Sequence, residues 1–333
     1  MHKMKKLILL SLLTLQFSLL IAQDTGEQVR LSRLFNFGWK FQTGDLKDAY
    51  SLNYDDSNWR VLDLPHDFQI EQPWNQGAGG ARGFKAMGTG WYRKAFKAEP
   101  EWKGKRVLLD FEGIMLVGDV WVNGQKGGST DYGYLGFETD ITKLLRYDAD
   151  NIVAVSASTG NKGGSRWYTG GGLFRDVHLL VKDSVSIARH GVFISTPKIT
   201  EQSADVNVQV ELEGIRGKQL DIEINARIFS PKGELVTETK GMAPKKNKLA
   251  TVEVPLPIVT VSNPQLWSCE TPNLYKAEIT LLHKGKVIDN VTETFGIRTL
   301  EYSPEFGFKL NGKKLFLKGI ANHHDLGAVG AAA

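Results

Sequence analysis

The sequence predicts an all-β protein built from two β-sandwiches in series, followed by the start of a further domain. Apolar residues alternate with polar ones in residues 206–212 and again in residues 220–228, which is typical of strands that bury one face. Two Asn-Gly pairs, Asn123-Gly124 and Asn311-Gly312, stand next to apolar runs. This dipeptide favours the type I′ turn of β-hairpins, because both central residues then need a positive φ. Helical periodicity is scarce, and residues 140–145 are the one short helix candidate of the first sandwich.

The predicted boundaries follow from changes in composition along the chain. We place the first sandwich in residues 24–182, a region rich in Trp and Gly. The second occupies residues 183–297 and has the size of an Ig-like domain, which is about 100 residues. Residues 298–333 contain a predicted hairpin and then a compact polar cluster, and we assign them to the beginning of a third domain.

Residues 1–22 have the features of a secretory signal peptide. Three lysines precede an apolar run over residues 7–20, and Ala22 is a small residue at the expected cleavage position. A membrane anchor is the alternative, but polar residues interrupt a run that is already shorter than the roughly 20 apolar residues of a spanning helix. The sequence therefore predicts a secreted or periplasmic protein with no membrane partner once the signal is removed.

Charge and cysteine content exclude several classes of function. The formal net charge is +4, but residues 1–22 contribute three lysines and no acidic residue, so the remainder carries +1. A nearly neutral chain gives no reason to expect a nucleic-acid partner. Cys269 is the only cysteine, which excludes an intrachain disulfide and a cysteine-based zinc site.

Two groups of residues are candidates for function. Glycines surround Arg166, Trp167 and Tyr168, and a glycine-rich loop can approach another surface closely. It lacks the Gly-Lys-Ser/Thr ending of a phosphate loop, so shaping of a ligand site and domain packing both stay open. By contrast, Trp39, Trp59, Trp91 and Trp121 lie within or beside strand patterns, and we interpret them as structural.

The second group is the polar cluster of residues 322–325, Asn-His-His-Asp. These residue types could bind a metal, but adjacent histidines point to opposite faces of a strand, and no third ligand is suggested nearby. We therefore predict no metal and no cofactor.

Several segments, in order and spacing, resemble glycoside hydrolase family 2 of the β-galactosidase type. Residues 165–177, SRWYTGGGLFRDV, are the most specific of them. The others are residues 36–41 (NFGWKF), 55–59 (DDSNW), 64–68 (LPHDF), 90–94 (GWYRK), 120–124 (VWVNG), 263–267 (NPQLW), 272–275 (PNLY), 295–298 (FGIR) and 317–325 (LKGIANHHD).

The resemblance implies a sugar-binding jelly roll, an Ig-like sandwich and then a catalytic (β/α)8 barrel, of which this chain contains only the first strand. The catalytic glutamates of the family come from later barrel strands, so no catalytic residue is expected in this chain. The expected substrate-binding residues are Asn322, His324 and Asp325 at the end of the first barrel strand, and Arg166, Trp167 and Tyr168 at the barrel mouth. The implied partner is a glycan with terminal β-galactosides.

Two alternatives belong to other classes of function. A jelly roll with exposed aromatic residues can bind a sugar without hydrolysing it, which would make the chain a free-standing carbohydrate-binding module. Two sandwiches can also serve as a periplasmic interaction protein. The barrel-like segment at residues 317–325 favours the enzyme fragment, because a finished binding module has no use for it.

Overall fold

A computed structural model describes residues 29–160, 167–245, 247–323 and 327–332 of the chain. These residues form antiparallel β-strands in five sheets, which confirms the all-β prediction. Within these ranges, helical structure is limited to short 3-10 turns at Gln76–Ala78, Gly80–Arg82, Pro100–Trp102, Thr142–Leu144 and Gly327–Val329. Within the described ranges, no helix has the length and apolar character needed to cross a membrane.

The described residues of the first sandwich form ten strands. They are β1 (Leu31–Leu34), β2 (Trp39–Thr43), β3 (Arg60–Leu62), β4 (Thr89–Phe96), β5 (Arg106–Phe111), β6 (Val117–Val122), β7 (Gln125–Thr130), β8 (Phe137–Asp140), β9 (Asn151–Ser158) and β10 (Val177–Lys182). One sheet has the order β1-β10-β5-β8, and the other has the order β3-β2-β4-β9-β6-β7. The predicted hairpin at Asn123-Gly124 joins β6 to β7, and both residues have positive φ angles, 53° and 80°.

The predicted structural role of the four tryptophans is confirmed. Trp39 is fully buried in the core between the two sheets, together with Tyr92. Trp59 and Trp91 are buried in a separate cluster, where Trp121 stacks on Trp91 with 5.4 Å between ring centroids. Stacked indoles are stabilised by apolar burial and by their offset geometry, so this cluster rigidifies the six-stranded sheet.

In the second sandwich, the part that the structure describes has eight strands. They are β11 (Ser186–Ile199), β12 (Ser203–Glu213), β13 (Ile222–Phe229), β14 (Leu235–Met242), β15 (Thr251–Pro255), β16 (Val259–Ser262), β17 (Tyr275–His283) and β18 (Lys286–Phe295). One sheet joins β11, β12 and β15, with β16 also paired to β12, and the other has the order β14-β13-β17-β18. The alternation in β12 and β13 places one face of each strand in the core, as predicted, because side chains alternate with a period of two.

A small third sheet follows the second sandwich. It consists of β19 (Leu300–Ser303), β20 (Gly307–Leu310) and β21 (Lys313–Lys314), and Asn311-Gly312 forms the predicted hairpin between the last two. Residues 315–323 then form no strand, and Ile320 is 93% exposed. A barrel strand takes its backbone partners from the strands on both sides, and the described residues supply no such neighbours for this segment.

The two sandwiches are joined by ion pairs. Lys182 at the end of β10 contacts Glu213 at the end of β12, and Arg106 of β5 contacts the same carboxylate at 2.8 Å. Arg30, just before β1, contacts Asp289 of β18 at 2.6 Å. Ion pairs from β5, from β10 and from the residue before β1 therefore fix the position of the first sandwich against the second.

Candidate functional site

The structure describes three of the six predicted substrate-binding residues. Trp167 is partly exposed, and its ring lies edge-on to His323 with 6.2 Å between centroids, so the glycine-rich loop and the segment that contains Asn322 meet in space. Asn322 itself is exposed, whereas Tyr168 is buried. Arg166, His324 and Asp325 lie outside the described residues, and their roles stay predictions.

Asp67 is the centre of the hydrogen-bond network around this loop. It is only 2% exposed, and its carboxylate accepts four hydrogen bonds. The backbone NH groups of Gln69 and Gly171 donate to Oδ1 at 2.9 and 2.8 Å, and the Tyr168 hydroxyl and the Ala331 NH donate to Oδ2 at 2.7 and 2.9 Å. A buried carboxylate needs such donors to replace its hydration. Asp67 thus connects three segments that are far apart in sequence.

Two glycines allow this close approach. Gly170 has a φ of 74°, and a Cβ there would lie 2.7 Å from Oδ2 of Asp67. Gly330 has a φ of 60°, and a Cβ there would also collide with that oxygen. Only glycine tolerates both the positive φ and the lack of space for a Cβ atom. The close packing of both segments on Asp67 therefore requires glycine at these two positions.

His66, the neighbour of Asp67, belongs to a second polar group. Its Nδ1 lies 2.8 Å from the Tyr92 hydroxyl, and its Nε2 lies 3.2 Å from Oε1 of Glu71. Arg60 donates two hydrogen bonds to the Glu71 carboxylate at 2.9 and 2.7 Å. Burial lowers the pKa of His66, although Glu71 opposes this effect, and burial also raises the pKa of Tyr92. Neutral imidazole and protonated phenol are therefore the forms favoured at neutral pH.

A cavity of about 460 Å³ adjoins this network. It lies between the loop that precedes β4, Tyr168, and the short 3-10 turn near the end of the chain. The lining residues are Ile70, Trp74, Gly83, Lys85, Tyr168, Gly327, Ala328 and Gly330. Its volume is in the range of small-molecule sites, which makes it a candidate for a sugar. Sequence reasoning did not single out Trp74 or Lys85, because neither stands in a recognisable motif.

A separate group, away from this cavity's lining, brings together Glu112, Asp176 and His178. Their ligand atoms lie within 4.8 Å of one another, which is close enough to hold a cation. Asp176 also accepts a hydrogen bond from the Asn36 amide at 2.7 Å, and Nε2 of His178 lies 3.4 Å from Glu112. These contacts give each of the three residues a structural partner. No chemistry is assigned to it.

Comparison with known protein families shows which family the two sandwiches belong to. Residues 53–183 match the sugar-binding domain of the glycosyl hydrolases of family 2, and residues 185–298 match a second domain of the same family. The chain belongs to glycoside hydrolase family 2. The two matches correspond to the first and second sandwiches, which carry the jelly-roll and Ig-like domains of this family.

Curated family 2 relatives have two kinds of name. The β-galactosidase BoGH2A of Bacteroides ovatus is 33% identical over 90% of this chain, and a β-glucuronidase of Bacteroides fragilis is 34% identical over 82%. A crystal structure of a family 2 member from Bacteroides cellulosilyticus superposes with a TM-score of 0.85 at 37% identity, and covers 91% of this chain. The chain spans only 35%, 40% and 40% of these three proteins, respectively.

Proposed function

We propose that this chain is the N-terminal, non-catalytic part of a secreted, retaining exo-glycosidase that removes terminal β-galactosides from oligo- or polysaccharides. The observation that carries the proposal is the pair of family 2 domain matches over residues 53–183 and 185–298, set against relatives of which the chain spans only 35% and 40%. In the family, the catalytic pair of glutamates belongs to the barrel that follows these domains. Export rests on the signal-like residues 1–22, which lie outside the described residues.

The preference for galactosides rests on residues 165–177 and on relatives such as BoGH2A. A β-glucuronide is the second candidate substrate, because the Bacteroides fragilis relative and a structural relative from Bacteroides uniformis, 27% identical with a TM-score of 0.81, are named β-glucuronidases. The two sugars differ at C6, which carries a hydroxymethyl group in galactosides and a carboxylate in glucuronides, and also in the configuration at C4. Discrimination between them therefore depends on whether a cation or a neutral group faces C6 and on which groups contact the hydroxyl at C4.

An extended version of the chain, continued through the family's barrel, tests this proposal. We expect it to hydrolyse nitrophenyl β-D-galactoside with a kcat/KM at least about tenfold above that for the β-D-glucuronide, since one well-placed polar contact is worth roughly a factor of ten or more. NMR of the first-formed sugar should show the β-anomer, as a retaining mechanism requires. A higher kcat/KM for the glucuronide than for the galactoside would make β-glucuronides the proposed substrates in place of β-galactosides. Binding without hydrolysis would favour the carbohydrate-binding module.

A further inference from the structure

The cavity beside Tyr168 carries one charged group, and that charge is positive. Lys85 is the only charged side chain among the lining residues. The others are glycine, alanine, isoleucine and two aromatic residues. The lysine is only 6% exposed, and its Nζ donates a hydrogen bond to the Gln72 carbonyl at 2.7 Å. Within the described ranges, no carboxylate forms an ion pair with it. A buried ammonium held by one carbonyl is incompletely compensated for its lost hydration.

Trp74 is placed next to this charge with most of its surface open. The residue is 73% exposed, and Nζ of Lys85 lies 4.1 Å from the centroid of its ring. The exposed indole has apolar surface that is free to contact a ligand. The ammonium over its ring leaves the remainder of that surface uncovered. Both residues line the same cavity, so one ligand can contact the indole and the ammonium.

The loop that holds both residues is ordered by its own hydrogen bonds. Trp74 and Lys85 form an isolated antiparallel bridge, and the Asn75 NH donates to the Phe84 carbonyl at 2.8 Å. The Asn75 side chain also accepts a hydrogen bond from the Gly77 NH at 2.9 Å, which caps the 3-10 turn Gln76–Ala78. The backbone of both residues is therefore ordered before any ligand arrives, which lowers the entropic cost of binding.

We propose that this cavity binds a pyranose that carries an anionic group, either a carboxylate or a sulfate. The C–H face of the sugar packs on Trp74, and the anionic group accepts a charge-assisted hydrogen bond from Lys85. The proposal rests on the proposed function only in taking a carbohydrate as the ligand. It concerns a sugar unit of the glycan bound by the first sandwich itself, and it requires no hydrolysis.

Binding to the 333-residue chain tests the proposal by titration calorimetry with three probes. These are methyl β-D-galacturonide, methyl β-D-galactoside and its 6-sulfate, which differ from one another only at C6. At low ionic strength we expect at least one anionic probe to bind at least tenfold more tightly than the neutral galactoside, and this ratio to fall as salt is raised. The stronger of the two anionic probes identifies the group as carboxylate or sulfate.

Variants assign the effect to the two side chains. Lys85→Met should abolish the preference for anionic probes, Lys85→Arg should retain it, and Trp74→Ala should weaken the binding of all three. Lys103→Met is the matched control, because Nζ of Lys103 lies 5.3 Å from the ring of Tyr147, away from the cavity. This variant should behave as the wild type.

Two results overturn the proposal. One is a wild-type chain that binds neutral and anionic probes equally well or binds none of them, a result that needs no variant to fold. The other is a folded Lys85→Met protein that keeps the full preference. Hydrolysis by the extended chain would be unaffected by either result, so failure here is distinct from failure of the proposed function.

Discussion

Replacing Lys182 by methionine is expected to lower the free energy of unfolding by about 3–5 kcal/mol, the usual cost of removing one partner from a buried ion pair. The Lys182 side chain is 0% exposed, and its Nζ lies 2.6 Å from Oε1 of Glu213 and 3.6 Å from Oε2 of Glu138. Without the ammonium, Glu213 keeps Arg106 as its remaining ionic partner among the described residues. A partly buried carboxylate then faces the junction between the two sandwiches.

The pH dependence of this loss has a definite sign. Burial raises the pKa of Glu213, but hydrogen bonds from Lys182 and Arg106 outweigh it, so the net effect is a pKa below the ordinary value of 4.5. A carboxyl group with a lowered pKa in the folded state stabilises the protein at pH values above its pKa in the unfolded state. That stability is lost as the pH falls through the folded-state pKa. The difference between wild type and Lys182→Met should therefore be largest near neutral pH and narrow below about pH 4.5.

Urea denaturation at pH 7 and pH 4 measures both effects. Lys126→Met is the matched control, since Lys126 contacts Asp119 at a similar 2.7 Å but is 56% exposed, and such pairs contribute about 0–1 kcal/mol. Adding Glu138→Gln to Lys182→Met should recover part of the loss, because Glu138 is 13% exposed and has no other ionic partner among the described residues. A cost below about 1 kcal/mol for Lys182→Met would show that this buried pair does not hold the junction.

Replacing Asp67 by alanine is expected to destabilise the first sandwich by about 3 kcal/mol or more, because several buried donors lose their acceptor at once. The Tyr168 hydroxyl and the NH groups of Gly171 and Ala331 all donate to this carboxylate. Asp67→Asn should cost less, since its amide oxygen can still accept hydrogen bonds. Its NH2 group cannot accept them, so at least one donor stays unsatisfied.

Thermal unfolding and amide hydrogen exchange measure this prediction together. In Asp67→Ala, the amides of Gly171 and Ala331 should exchange much faster, while the core of the second sandwich keeps its protection. Asp45→Ala, a change at an exposed position, should lie within about 0.5 kcal/mol of wild type. Unchanged protection at both amides would mean that Asp67 does not hold the glycine-rich loop and the end of the chain together.

Much of the fold could be predicted because its determinants are local. The period of two in residues 206–212 fixes which face of β12 is buried, and Asn123-Gly124 supplies the two positive φ angles of a hairpin turn. Trp39 lies in a strand pattern and is a core residue for the same reason. Family resemblance added what periodicity cannot, namely the importance of residues 165–177.

The site could be predicted only in part because its contacts are long-range. Tyr168 and its acceptor Asp67 are 101 residues apart, and Ala331 is 264 residues from the same carboxylate. No periodicity or turn signal links such positions. Lys85 and Trp74 are nearer to each other, but their pairing depends on a bridge within an irregular loop, and the sequence offers no pattern for it. Tyr168 was identified from the sequence, whereas its hydrogen bond to Asp67 and the adjoining cavity were not.

The most direct test of the proposal that catalysis lies outside this chain is an assay of the 333-residue protein with nitrophenyl β-D-galactoside. Retaining hydrolysis needs an acid and a nucleophilic carboxylate about 5–5.5 Å apart on opposite sides of the anomeric carbon. Binding without them favours ground state and transition state equally and accelerates nothing. We expect no turnover above the uncatalysed rate. Robust turnover that is abolished by Glu112→Gln or Asp176→Asn, two acidic residues with carboxylate oxygens within 4.8 Å of each other, would contradict it.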